Sequence, residues 1–120
     1  MRMIEIDYEA RPPIDGYGPG GFRIGGTWID GSVILLPSGQ HGFEPSDAGD
    51  VLAQILTEGD TLDVLLIGMG GDIRALPSAW KPLLADAPFG HDLMNTPSAC
   101  RTYNVLLTEN RRVGALLIAV

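Results

Sequence analysis

A single cysteine, two histidines and a shortage of positive charge limit what this 120-residue chain can do. One cysteine cannot close an internal disulfide, so the fold must rest on its core, as expected in a reducing compartment. His41 and His91 stand far apart, without a C-x-x-C or H-x-x-x-H spacing, and make no recognisable metal site. Eight Lys and Arg against fifteen Asp and Glu leave a net charge of −7, which repels phosphate backbones and argues against a nucleic-acid partner. No window approaches ~20 apolar residues, so no helix is expected to insert into a membrane. Glu5, Asp7 and Glu9 fall where a signal peptide needs an unbroken apolar stretch, so the expected location is the cytoplasm. There is no G-x-S-x-G elbow and no carboxylate pair at a diagnostic spacing. No cofactor is expected.

What the chain does have is enough apolar residue, 45%, to build a core. Sixteen glycines and nine prolines fall mostly between apolar runs, as turn punctuation. No repeat or long linker divides the chain, so a single domain over residues 1–120 is expected. "MIEIDY" (3–8) alternates as a half-buried strand does. "GGFRIGG" and "SVILLP" supply further strands, the second apolar throughout and so expected to be covered on both faces. Pro37 ends it.

From residue 45 the rhythm changes. "PSDAGDVLAQILTEG" predicts a helix capped by Ser46, with Ala48, Val51, Leu52, Ile55 and Leu56 on one face. "LDVLLIG" (62–68) is a strand, "PSAWKPLLADA" (77–87) a short helix capped by Ser78, and "FGHDLMN" (89–95) a weaker strand. A closing helix and the strand "VGALLIAV" follow. This β-α-β-α-β order demands crossovers and parallel pairing. The expected class is α/β, with an N-terminal β-hairpin region and helices on both faces of a small mixed sheet.

Two places invite a functional reading. In the closing helix, Thr96 is a good N-cap and Pro97 suits the first position. Cys100 then lies one turn in, followed by Arg101, where the helix dipole and the guanidinium favour a thiolate. A nucleophile also needs a base, and His91 on the preceding strand is the nearest in sequence. Against this, Ala99, Cys100, Tyr103, Leu106 and Leu107 share a face, and free cysteines commonly pack as small hydrophobes. Packing is the expected role. The second place is the glycine turn in "LLIGMGGDIRALP", where backbone N–H groups can meet an anion. Its G-x-G-G spacing matches neither a dinucleotide fold nor a P-loop, and Asp72 repels phosphate. Gly68, Gly70, Gly71, Asp72, Thr96, Cys100, Arg101 and Asn104 are the candidate binding residues, as the rim of a pocket at the carboxyl end of the parallel strands. Trp28 and Trp80 are expected to anchor packing, although an exposed Trp would mark a partner surface.

Three blocks together, "FRIGGTWIDGSVILLPSG" (22–39), "VLLIGMGGDIRALP" (64–77) and the final stretch from Met94, resemble the Mth938-like family. The likeness is strongest to its alphaproteobacterial and mitochondrial branch, which includes complex I assembly factor 3. Gly31, Ser32, Gly68, Gly70, Thr96, Pro97, Ala99, Cys100, Asn104, Glu109 and Arg111 match the family pattern, whereas Met69 stands where Thr is common. The resemblance implies a three-layer α/β/α domain and no enzymatic activity to carry over. It implies an interaction protein, with subunits of an assembling respiratory NADH dehydrogenase as partners and attachment to the inner membrane through them. Glu109, Arg111 and Arg112, at the turn after the closing helix, would face such a partner or form a solvated turn. Self-association stays open. The alternative is a small-molecule or anion-binding protein, or a hydrolase, with its site at the Gly68–Asp72 loop and the start of the last helix.

Overall fold

The computed structural model describes residues 11–72 and 75–120. The strand expected at 3–8 lies outside them. The chain begins with β1 (Ile14–Gly18), β2 (Gly21–Ile24) and β3 (Thr27–Asp30), an antiparallel three-stranded sheet of its own. A hairpin of β4 (Ser32–Leu36) and β5 (Gly39–Phe43) follows, then α1 (Ala48–Thr57) and β6 (Val64–Gly68). The remaining elements are α2 (Lys81–Ala85), β7 (Gly90–Met94), α3 (Thr96–Thr108) and β8 (Val113–Leu117).

The second sheet has the order β5-β4-β8-β6-β7. β6 pairs in parallel with both β7 and β8, while β4 is antiparallel to β5 and β8. The sheet is therefore mixed, and the expected crossovers are the ones observed. Every residue of β4 and β8 is buried, as their unbroken apolar runs require.

Alternation along the strands divides the core in two. Val33 and Leu35 of β4, Leu66 of β6 and Val113, Ala115 and Leu117 of β8 point to one side. There they meet Ala99, Cys100, Tyr103 and Leu107 of α3, and Ile14, Phe22 and Ile24 of the small sheet. Ile34, Leu36, Leu65, Ile67 and Leu116 point the other way, onto Val51, Leu52 and Ile55 of α1 and Trp80 and Leu84 around α2. The third layer is thus shared between a helix and a three-stranded sheet.

Several local expectations are corrected. α1 is preceded by a 3-10 turn over Pro45–Asp47, so Asp47, not Ser46, holds the N-cap position, and without a side-chain bond. Ser78 opens another 3-10 turn, which runs into α2 with Trp80 at the cap position. The hairpin expected at the N-terminal end is a full three-stranded sheet. β1, β3 and β5 were not foreseen because their residues are largely exposed and lack the apolar alternation that marks a strand.

Candidate functional site

The start of α3 is built by two adjacent residues with separate tasks. Asn95 is the N-cap, its Oδ1 accepting the N–H of Ser98 at 2.8 Å. Thr96, expected as the cap, is instead the first helical residue and wholly buried. Its hydroxyl donates to the carbonyl of Ile118 at 2.7 Å and accepts the N–H of Gly70 at 2.9 Å. Its own N–H donates to the Gly70 carbonyl at 2.8 Å. One side chain thereby joins the helix, the loop after β6 and the end of β8.

Close approach explains the glycines here. A Cβ on Gly68 would lie 2.9 Å from Thr96 Oγ1 and 3.0 Å from Thr96 Cα, and Gly70 has a φ of +96°. The loop's amides serve the fold as well. Met69 N–H donates to Met94 O at 3.0 Å, and the Gly70 N–H goes to Thr96. The segment after β8 is held too, since Ile118 N–H donates to Gly68 O and Ala119 N–H to Ser32 Oγ. Gly71 and Asp72 are exposed beside this junction.

Cys100 sits 4% exposed between α3 and the sheet. Burial pushes its thiol up to about 11, outweighing the opposing pull of Arg101. It is a protonated core residue at neutral pH. Arg101 is exposed and donates to Ser98 Oγ at 3.3 Å, while His91 is exposed on edge strand β7. The helix-start thiol therefore lacks the electropositive, open setting that reactivity requires.

Asn104 is a clamp. Its Oδ1 accepts the N–H of Ile14 at 2.8 Å and its Nδ2 donates to the Ile14 carbonyl at 2.7 Å. The amide reproduces the two-bond exchange of a strand partner and fixes β1 against α3. Arg112 is similarly engaged, its Nη2 lying 2.7 Å from Asp63 Oδ1. Arg111 Nε lies 4.0 Å from the other carboxylate oxygen. Hydrogen bonds from the Arg112 side chain and backbone hold the Asp63 carboxyl below its usual range.

A cavity of about 220 Å³ opens at the other end of the sheet from the glycine loop, where β4 ends and β8 begins. It is lined by Arg11, Pro12, Leu35, Leu36, Gly39, Gln40 and Tyr103. Arg11 Nη2 donates to Tyr103 Oη at 3.1 Å and to the Val113 carbonyl. The guanidinium stands 5.8 Å from the Tyr103 ring centroid, within cation–π range. Burial raises the Tyr103 hydroxyl, with Arg11 opposing, so the phenol stays protonated at neutral pH. Arg11 Nε is buried with no hydrogen-bond partner among the described residues. Sequence reasoning put Tyr103 on the buried stripe and passed over Arg11, which belongs to no motif. The fixed φ of Pro12 and Pro13 after a lone cation was the only local sign.

Among the described residues, no group of three or more His, Cys, Asp or Glu could hold a metal ion, and no helix is long and apolar enough to cross a membrane.

A mixed α/β domain of this topology, a strapped helix start on one sheet end and a small sheet sharing a layer with α3, defines a Mth938-like fold. The fold is that of a Bordetella pertussis protein described as a Mth938-like domain, at a TM-score of 0.70 and 24% identity over 98% of this chain and 92% of that one. The chain belongs to the family described as protein of unknown function DUF498/DUF598, whose pattern matches residues 14–118. An uncharacterised protein of Rhodobacter capsulatus is 42% identical over 98% of this chain and 93% of its own length. The crystal structure of a Bartonella henselae protein, described as an outer membrane protein, superposes with a TM-score of 0.87 at 42% identity, covering 92% of this chain and 97% of that one. NADH dehydrogenase [ubiquinone] 1 alpha subcomplex assembly factor 3 of Rattus norvegicus is 27% identical over 98% of this chain, which spans 66% of the rat protein.

Proposed function

We propose that this protein works by binding other proteins, as a factor in assembling a respiratory NADH dehydrogenase. The observation that carries the reading is the similarity to assembly factor 3, which extends over 98% of the chain rather than over one motif. The chemistry of the described residues agrees with it. The one thiol is protonated and enclosed, and the helix start and glycine loop bind each other. The protein is cytoplasmic in this reading, reaching the membrane through its partner.

A contact surface is offered by the outer face of the small sheet. Trp28 is 41% exposed there, against 6% for Trp80 in the core. Its Nε1 donates to Asp30 Oδ1 at 2.8 Å, and a Cβ on Gly18 would meet its ring at 3.5 Å. The indole is thus held flat and pre-ordered, the kind of aromatic that anchors an interface. Deleting the gene is expected to lower assembled NADH dehydrogenase on native gels and to slow membrane NADH oxidation. Restoring the wild-type chain, but not Trp28→Ala, recovers both. Normal enzyme levels in the deletion strain would overturn the assignment.

A further inference from the structure

The Arg11–Tyr103 cavity is not accounted for by subunit association. Its polar groups are arranged as in a ligand site, with capacity left over. Arg11 is half-buried, and the ion pairs among the described residues all involve Asp63, so its charge meets no carboxylate there. One of its nitrogens holds Tyr103 and Val113, which fixes the plane of the guanidinium. The Nε–H next to it is buried and has no acceptor among the described residues, an arrangement that is unfavourable unless something polar approaches. Tyr103 Oη accepts from Arg11, which leaves the phenolic proton to donate. Gln40 lies directly opposite Leu35 in the β4–β5 ladder, so it points to the same face and reaches the cavity from the exposed edge. The rest of the lining is apolar: Pro12, Leu35 and Leu36.

We propose that this cavity binds a carboxylate carried on a small apolar body. One carboxylate oxygen takes the Arg11 Nε–H, the Tyr103 hydroxyl donates to the ligand, and the body lies on Pro12, Leu35 and Leu36. A single fixed cation with a protonated phenol suits a planar monoanion. A phosphate dianion calls for more donors than are present. The cavity volume fits a short-chain or aromatic acid and excludes a nucleotide. The carboxylate has two conceivable sources, a free metabolite or this chain's own Glu5, Asp7 and Glu9, which lie just upstream in sequence.

Butyrate and benzoate serve as probes, with benzamide and inorganic phosphate as controls. The Arg11 Nε–H resonance is followed by ¹⁵N-correlated NMR on the full chain. Saturable displacement by the acids is expected, with benzamide about tenfold weaker or worse, as loss of a charge-assisted hydrogen bond implies. Arg11→Lys keeps the charge and removes Nε, and should weaken the acids about tenfold, read by calorimetry. Gln40→Trp closes the exposed edge without touching the bonds of Arg11, and decides the matter if Arg11→Lys fails to fold. In Glu5→Gln/Asp7→Asn/Glu9→Gln, unchanged affinity identifies a free ligand. Binding that emerges only in that variant identifies the chain's own carboxylates as the occupant of the same site. Absence of displacement in both proteins, benzamide binding as well as benzoate, or phosphate binding better than either acid would overturn the proposal.

Discussion

The two ends of the main sheet make opposite use of polar groups. At the carboxyl end, Gly68, Gly70, Thr96 and Ile118 form a closed set in which each hydrogen bond answers another. At the other end, Arg11 and Tyr103 share one bond and keep a buried N–H and a phenolic proton in reserve. Every attractive sequence signal, the glycine turn, the helix start and the cysteine, belongs to the first end. The ligand-binding capacity lies at the second. Glycines and caps report where the backbone is constrained. Whether a constrained backbone also binds something depends on donors left over after folding, which only the three-dimensional arrangement reveals.

The largest break in this comparison comes from Thr96→Val. The shape is kept, but the Gly70 N–H and the Ile118 carbonyl lose their buried partner. Two stranded polar groups should cost about 3 kcal/mol, seen as a lower urea midpoint at unchanged slope. A cost below about 1 kcal/mol would mean the junction is wet and adjustable, and the contrast between the two ends would fail.

How much of this was legible follows from where the partners lie. The β-α-β-α-β half could be read because each element carries its own apolar period. So could the enclosure of β4, whose five residues are all apolar or small. Asn95 and Thr96 are both good caps, and Pro97, suited to the first helical position, pointed to Thr96. The distant Ile118 carbonyl and Gly70 N–H, 22 and 26 residues away, turn Thr96 inward. Asn104 looked like one polar residue on a helix, since its partner Ile14 is 90 residues upstream. Arg11 was the least legible, with bonds to Tyr103 and Val113 that span 92 and 102 residues. In the small sheet β2 was legible, while β1 and β3 escaped because they are short and largely exposed, so burial leaves a weak imprint on them.

Alkaline pH sharpens the comparison next. The folded-state thiol of Cys100 is raised to about 11, above the unfolded value of about 8.5. Its neutral form is therefore favoured in the folded chain. That contribution is fully present below about pH 8.5 and is lost as pH rises through 11. Tyr103, raised by burial above its ordinary value of about 10, adds a loss of the same sign. Stability against urea should fall between pH 8.5 and 11, and Cys100→Ala should flatten part of that fall. Iodoacetamide should leave the native chain unlabelled at pH 8 and label it on unfolding. Rapid native labelling would restore a reactive helix start.

The smallest effect is the most informative about the second end. Tyr103→Phe keeps the ring in the core and removes only the oxygen that accepts from Arg11. Arg11 retains its bond to the Val113 carbonyl, so no new group is stranded except one N–H at the cavity wall. The expected cost is about 1 kcal/mol or less, roughly a third of that for Thr96→Val, although both remove one buried hydroxyl. Compared by urea unfolding under one condition, the pair distinguishes a hydroxyl that closes a network from one that leaves donors facing a cavity. Equal losses would show the Arg11–Tyr103 pair to be as structural as the junction. A near-neutral Tyr103→Phe would show that the fold does not need the hydroxyl, and would leave ligand binding as the task that explains it.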